Sequence, residues 1–221
     1  MIRLLVLAFL ALPGVTARAA EPLAATYQLT MRGAGTSHHA QFLLLRSDDI
    51  VEVHDEHTGV IERWEREAGG RLFYQRIFPD ARKVIEFQPP DLRSAQVTGD
   101  WDVVRTVTGT AVLDQLEPRG NRRVAGHRAA VYRGTIDGVS TELGWIEELQ
   151  LPARVERRVG DDRQELRLTG LEQGEASATR FMTREQLQAY ESIDFADLGD
   201  RHGDPFVDRV MNHGGLQLHT H

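Results

Sequence analysis

Gln41-Phe42-Leu43-Leu44-Leu45-Arg46, then Ser47-Asp48-Asp49, then Ile50-Val51-Glu52-Val53-His54: an apolar run, a polar triplet and a β-branched run follow one another without a break. That is strand, turn, strand. Thr58-Gly59 supplies the next turn, and Val60 to Arg66 the next strand. A period of two puts Val60, Glu62, Trp64 and Arg66 on one face of it and Ile61, Arg63 and Glu65 on the other. The same grammar extends outward. Upstream, Ala25 to Arg32 is rich in β-formers and stops at Gly33-Ala34-Gly35. Downstream, Gly69-Gly70 leads into Arg71 to Phe78, Pro79-Asp80 turns, and Arg82 to Gln88 returns. Short strands punctuated about every eight to twelve residues predict an antiparallel meander.

Pro89-Pro90 ends that series. Asp100 is an N-cap for a helical stretch in which Trp101 and Val104 share a face. Gly109 splits the stretch, Val112, Leu113 and Leu116 form a second apolar face, and Pro118-Arg119-Gly120-Asn121 closes it. The helical insert therefore covers residues 100–117. Strands resume at Arg123-Val124-Ala125-Gly126 and continue through Ala130 to Gly134, Thr141 to Ile146, Leu151 to Arg157 and, beyond the turn Gly160-Asp161-Asp162, Gln164 to Leu171. The tail is helical in pattern. Thr183-Arg184-Glu185-Gln186 is a capping box ahead of Leu187 and Tyr190. Asp204-Pro205 opens a stripe of Phe206, Val207, Val210 and Met211, which Gly214 is placed to stop. The fold class expected is mainly β (α+β): a curved antiparallel sheet, or half-open barrel, with short helices inserted mid-chain and further helices at the C-terminus. The divisions expected are a signal segment over 1–19, the sheet domain over 20–178, and a helical appendage with a His-containing tail over 179–221.

The signal segment follows from Met1-Ile2-Arg3, the apolar run Leu4 to Leu12, Pro13-Gly14 and the small residues of Ala17-Arg18-Ala19. This is a basic start, a short apolar stretch and an A-x-A cleavage site. The apolar run is too short to span a bilayer, which takes about 20 residues, and no later segment is longer and apolar. A periplasmic location is expected. The chain has 33 acidic and 26 basic side chains; losing Arg3 and Arg18 with the leader deepens the net charge from −7 to −9. Such a balance, without a basic stripe, does not fit nucleic acid. The absence of cysteine excludes disulfides, thiolate metal sites and thiol catalysis.

Three blocks then carry a resemblance: Val124-Ala125-Gly126-His127 leading to Tyr132-Arg133-Gly134, Trp145, and Leu149-Gln150-Leu151-Pro152-Ala153-Arg154-Val155. Together they resemble the second half of the envelope lipoprotein-carrier fold, the group of LolA, LolB, LppX and RseB. The strands holding Glu62-Arg63-Trp64, Arg76 and Val84 to Pro89 are similar to the first half in RseB and MucB. The resemblance spans about residues 25–172, and the tail from Thr183 departs from it. It implies a sheet whose hollow takes acyl chains.

Candidate residues follow. Phe42, Leu44, Trp64, Phe73, Phe78, Phe87, Trp101 and Trp145 are expected to line the hollow, the competing reading being an ordinary filled core. Taking Ser47-Asp48-Asp49 as a three-residue loop pairs Arg46 with Ile50, Phe42 with His54 and His39 with His57, which would bring His38, His39 and His57 to one hairpin end. Imidazoles there, or His219 and His221 on one side of the extended tail, are candidates for a divalent metal; exposed loop and tail histidines are the plainer alternative. Asp194, Asp197, Asp200 and Asp204 do not have the spacing of a calcium loop. No serine lies in G-x-S-x-G, His54-Asp55-Glu56-His57 is not H-E-x-x-H, and Gly33-Ala34-Gly35 lacks the third glycine of a dinucleotide loop. The function expected is non-enzymatic, without a required cofactor: a periplasmic protein binding a lipid, a lipoprotein or another hydrophobic partner. The alternatives are an envelope stress regulator or assembly factor acting through a protein partner, and a metal-binding accessory protein.

Overall fold

The computed structural model describes residues 21–33, 35–201 and 203–212. The signal segment, His219, His221 and the expected stop at Gly214 lie outside them. Twelve strands build one sheet. In chain order they are β1 (Leu23–Gly33), β2 (Thr36–Arg46), β3 (Ile50–Asp55), β4 (Ile61–Arg66), β5 (Leu72–Phe78), β6 (Lys83–Phe87), β7 (Glu117–Val124), β8 (His127–Ile136), β9 (Val139–Ile146), β10 (Leu151–Val159), β11 (Asp162–Gln173) and β12 (Glu191–Asp194). Their spatial order is β12-β6-β5-β4-β3-β2-β1-β11-β10-β9-β8-β7. Two meanders are thus joined by the antiparallel pairing of β1 with β11, and every other neighbour pair is antiparallel except β12 with β6. The expected mainly-β, curved antiparallel sheet with mid-chain and C-terminal helices is the fold.

Register separates the two faces of the first meander. On the inner face Leu23, Arg46, Val51, Trp64, Tyr74 and Phe87 stand opposite one another in succession across β1 to β6. A second inner row runs Ala25, Leu44, Val53, Glu62, Arg76 and Ile85. The apolar members of these rows belong to the main buried cluster. Two helices of the insert region cover them. α1 (Asp91–Ser94) contributes Leu92, and α2 (Trp101–Thr106) contributes Val104. Asp100 caps α2 as expected, accepting from the backbone N of Asp102 and Val103. Gly109 then breaks the chain at φ 74°, and a Cβ there would meet Val103 Cγ2 at 3.1 Å. A 3-10 turn over Thr110–Gln115 follows and leads Leu116 onto Leu143 and Trp145. Gly134 permits that approach: a Cβ on it would lie 2.9 Å from Leu116 Cδ2.

Arg46 fastens this cover to the sheet. Its side chain is buried and donates to the carbonyls of Arg105 (2.8 Å), Leu149 (2.5 Å) and Gln150 (3.3 Å). Burial and the nearby Arg105 charge lower its pKa to about 10, so it remains a cation at neutral pH. A guanidinium suits this position because its donors fan out toward several carbonyls at once.

The C-terminal segment packs on the sheet and adds a strand to it. After β11 the chain crosses the outer face of β1 to β6. α3 (Glu175–Ala178) and α4 (Arg184–Gln188) belong to this crossing, and the Thr183–Gln186 capping box is formed. Phe181 packs on Ala24, Leu43 and Leu45; Met182, Leu187 and Tyr190 pack on Ile61, Ile77 and Val84. The chain then pairs as β12 in parallel with β6 and passes through a 3-10 turn, Phe195–Asp200, to α5 (Pro205–Asn212), whose Phe206 and Val207 return to the inner-face cluster. The appendage is therefore part of the same sheet and the same core. Its polar, four-residue strand has no alternation that would announce it.

One further expectation changes. Pro118-Arg119-Gly120-Asn121 is not a closing turn but lies within edge strand β7, whose pairing shifts between Pro118 and Asn121. Proline and a bulge are what an edge strand tolerates. Glu52 and Arg63 lie beneath the crossing segment, with relative exposures of 0% and 6%.

Candidate functional site

The inner face of β4, β5 and β6 is built of rings in contact. Trp64 and Tyr74 lie with centroids 4.8 Å apart, Tyr74 and Phe87 4.8 Å, and Phe87 stacks on Phe195 at 4.6 Å. Phe78 meets Phe206 edge-on at 5.0 Å. Alternation and register produce this row, because Trp64 faces Tyr74 and Tyr74 faces Phe87. Phe42 and Leu44 join the same cluster; Tyr27 stacks on Phe42 at 5.4 Å and donates its hydroxyl to the Pro152 carbonyl at 2.9 Å. Trp101 packs against the edge of the cluster with the Arg66 guanidinium 4.9 Å over its ring.

The other two expected lining residues stand elsewhere. Trp145 is buried in a separate cluster with Leu116 and Leu143. Phe73 pairs with Glu65, on the opposite side of β5 from Tyr74, and lies against Arg71. Tyr74 belongs to the row as well, and carrying the alternation from Trp64 across the hairpin points to it. Phe195 and Phe206 were unreachable without the C-terminal crossing.

The row ends in a polar trio. Glu62 and Arg76 face one another, with Glu62 Oε1 3.9 Å from Arg76 Nε, and Arg76 lies 5.9 Å from the Phe78 ring. Burial pushes the Glu62 carboxyl up to about 6; Arg76 and a hydrogen bond from Tyr74 oppose that rise, and Asp55 adds to it. Burial, with the Glu62 charge, also raises the Tyr74 phenol. Trp64 Nε1, Trp101 Nε1 and Arg76 Nε are buried donors without an acceptor among the described residues.

The second meander carries a different surface. On its charged face Glu142, Glu156 and Glu165 stand opposite one another. Arg154 joins all three, at 2.9 Å to Glu142 and to Glu165, and Arg133, Arg163 and Arg167 close the lattice around them. Beside it opens a polar cleft of about 890 Å³ lined by Glu117, Arg119, Arg133, Ser140 and Glu142 among others. Arg119 is paired with Glu117 and Arg133 with Glu142, so the cleft has no unanswered charge in these arginines. Burial raises the Glu165 carboxyl, and hydrogen bonds from Arg154 and Arg167 outweigh that and take it down to about 2.

Glu165 and Glu62 shift in opposite directions, which fixes two signs. The lowered Glu165 contributes stability present above its unfolded value, near 4.3, and lost as pH falls toward 2. The raised Glu62 binds its proton more tightly when folded, so its contribution weakens stability as pH rises from about 4.5 to 6, by about 2 kcal/mol. Urea midpoints measured from pH 3 to 8 are expected to fall steeply at the acid end. Glu62→Gln is expected to remove the loss between pH 4.5 and 6; an unchanged slope there would show that Glu62 titrates normally.

The described front histidines, His38, His39, His54 and His57, do not gather. β2 and β3 pair Leu43 with His54 and Phe42 with Asp55, one residue out of step with the expected register, because the loop is only Asp48-Asp49: Ser47 stands opposite Ile50 and donates its backbone N–H to the Ile50 carbonyl at 2.8 Å. A one-residue slip moves every side chain to the other face. His39 stands opposite Thr30, and its ring nitrogens share hydrogen bonds with Thr30 (3.1 Å) and Ser37 (3.2 Å). His38 is exposed opposite Met31, and His57 lies in the turn after β3 with its backbone N on Asp55 Oδ1. Among the described residues no three His, Asp or Glu side chains are placed to hold a metal.

No protein-family model matches the chain, and no curated protein matches it. Solved structures similar to it include PNGF-II, at 9% identity and a TM-score of 0.48, covering 82% of this chain and 33% of that one. MucB in the Pseudomonas aeruginosa MucA/MucB complex is similar at 16% identity and a TM-score of 0.37, covering 78% of this chain and 58% of that one. A LolA superfamily protein from Nitrosomonas europaea is similar at 9% identity and a TM-score of 0.36, covering 75% of this chain and 92% of that one. The chain thus spans about a third of the length of PNGF-II.

Proposed function

We propose that this chain is a non-enzymatic protein of the bacterial envelope that holds a lipid, or the acyl group of a lipoprotein, against the inner face of its sheet. The observation that carries the reading is the continuous ring row Trp64, Tyr74, Phe87 and Phe195. It is an extended apolar layer, buried with Trp64 5%, Tyr74 2% and Phe87 4% exposed, and a polar trio, Glu62, Tyr74 and Arg76, stands at its side. The leader-like N-terminus and the carrier-like blocks between Val124 and Val155 support the same reading. The driving force is hydrophobic transfer at about 0.8 kcal/mol per methylene, so about ten buried methylenes supply about 8 kcal/mol, enough for micromolar holding.

Native mass spectrometry of the chain purified from an envelope fraction tests this, together with titration of a dansyl-labelled fatty acid. A co-purifying lipid mass, or one-to-one probe uptake at micromolar concentration, is expected. A bare polypeptide that takes up no probe would overturn the reading, and a co-purifying protein without lipid would replace it with the regulator alternative.

A further inference from the structure

The crossing segment holds the sheet by two kinds of contact, and they change at Asp194. Before that residue the apolar packing of Phe181, Met182, Leu187 and Tyr190 is joined by a polar, paired grip. Glu52 accepts from the backbone N of Met182 at 3.2 Å, Arg82 donates to the Ala189 carbonyl at 3.2 Å, Lys83 bonds Glu191 at 2.9 Å, and four residues of β12 pair with β6. After it the contacts with the sheet among the described residues are made by apolar side chains, apart from Arg201, which pairs with Glu191 of β12 at 3.3 Å. Phe195 stacks on Phe87, Leu198 enters the cluster, Phe206 meets Phe78, and Val207 is 3% exposed. The caps of this stretch are local: Asp194 accepts from the backbone N of Ala196, and Asp204 from that of Phe206. Between the 3-10 turn and α5 lies Gly203, at φ 89°. A strap fastened at one end thus lays Phe195 on Phe87 and ends in an eight-residue amphipathic helix whose Phe206 meets Phe78 on the same inner face.

A helix this short is marginal by itself in water. Its apolar stripe covers the part of the inner face where an acyl chain would lie, and both are held by the same non-directional force. We propose that the stretch from Phe195 to the end of α5 is an occupant of the site in cis, displaced when the hydrophobic ligand binds, while the crossing segment and β12 stay in place. This rests on the inner face being the ligand site. Binding is then weakened by the fraction of molecules in which the helix is seated, and anything that unseats it raises the apparent affinity.

The test compares the full chain with its Phe206→Ser/Val207→Ser variant, using the dansyl-labelled fatty acid as probe, and follows backbone amide exchange in the unaltered chain with and without palmitate. At least tenfold tighter probe binding by the variant is expected. So is faster exchange over Phe206–Val210 on adding palmitate, with β1 and β2 unchanged. Should the variant fail to fold, the exchange measurement decides alone. Equal affinity in both chains, or palmitate bound with exchange over Phe206–Val210 unaltered, would overturn the displacement and leave the ligand site standing. No uptake by either chain would remove the site, and this inference with it.

Discussion

Replacing Glu52 with alanine is expected to lower stability by about 3–5 kcal/mol, the range for removing one partner of a buried ion pair. Glu52 has no exposed surface, and its carboxylate answers three groups. Arg63 pairs with one oxygen, His54 Nε2 lies 2.8 Å from the other, and the backbone N of Met182 is within 3.2 Å of both. Alanine would leave the Arg63 guanidinium, itself 6% exposed, with the half-exposed Glu65 carboxylate at 3.3 Å as its remaining acidic partner. It would also strip the Met182 amide of its acceptor where the crossing segment changes from Phe181 on one apolar cluster to Met182 on the next. The damage should therefore be local as well as global, with proteolysis appearing first in the stretch 174–190. The double variant Glu52→Leu/Arg63→Met is expected to recover most of the loss, because both charges leave a site flanked by Ile61, Ile77 and Leu45. Urea midpoints of the three chains decide the matter. If Glu52→Ala moves the midpoint by less than about 1 kcal/mol equivalent, the buried carboxylate does not hold the segment.

How much of this was legible depended on whether local pattern or distant chain supplied the cause. Alternation over Val60 to Arg66 placed Trp64 and Glu62 together, and Asp100, Gly109, Thr183 and Asp204 marked helix boundaries through local hydrogen bonds and backbone sterics. Those causes act within a few residues, so the sequence displays them. The register of β2 on β3 turned on whether Ser47 belonged to the loop or stood opposite Ile50, a difference of one residue that moved His54 from opposite Phe42 to opposite Leu43. Nothing near Glu52 or Arg63 announces a covering segment, since the residues that bury them, from Phe181 to Tyr190, lie more than a hundred positions away. The same distance hid Phe195 and Phe206 from the list of inner-face residues. In each case the missing information was which surface a remote stretch of chain would lie on.

Trp64→Ala is expected to cost about 3–5 kcal/mol, and Trp64→Phe about 1 kcal/mol or less. The indole is 5% exposed, between Val51 and Tyr74 in the inner row, and Tyr74 in turn supports Phe87 and Phe195. Alanine opens a void at the head of a row whose members hold one another by contact, and the relaxation available is small because each ring is fixed by the next strand. Phenylalanine keeps a ring on Tyr74. It gives up part of the volume but also removes Nε1, a buried donor with no acceptor among the described residues, whose desolvation is a standing cost of about 1–3 kcal/mol. The two effects oppose each other, and a loss for Trp64→Phe as large as for Trp64→Ala would mean that the indole nitrogen has an acceptor after all. The alanine variant also probes the site. A void lined by Val51, Tyr74 and their neighbours is apolar, and such voids take apolar guests. If an acyl chain lies along the row, palmitate should restore part of the stability lost by Trp64→Ala, in proportion to the logarithm of its concentration. A melting midpoint of Trp64→Ala that palmitate leaves unmoved, in a chain that still binds the dansyl probe, would place the ligand away from Trp64 and toward Phe78 and Arg76.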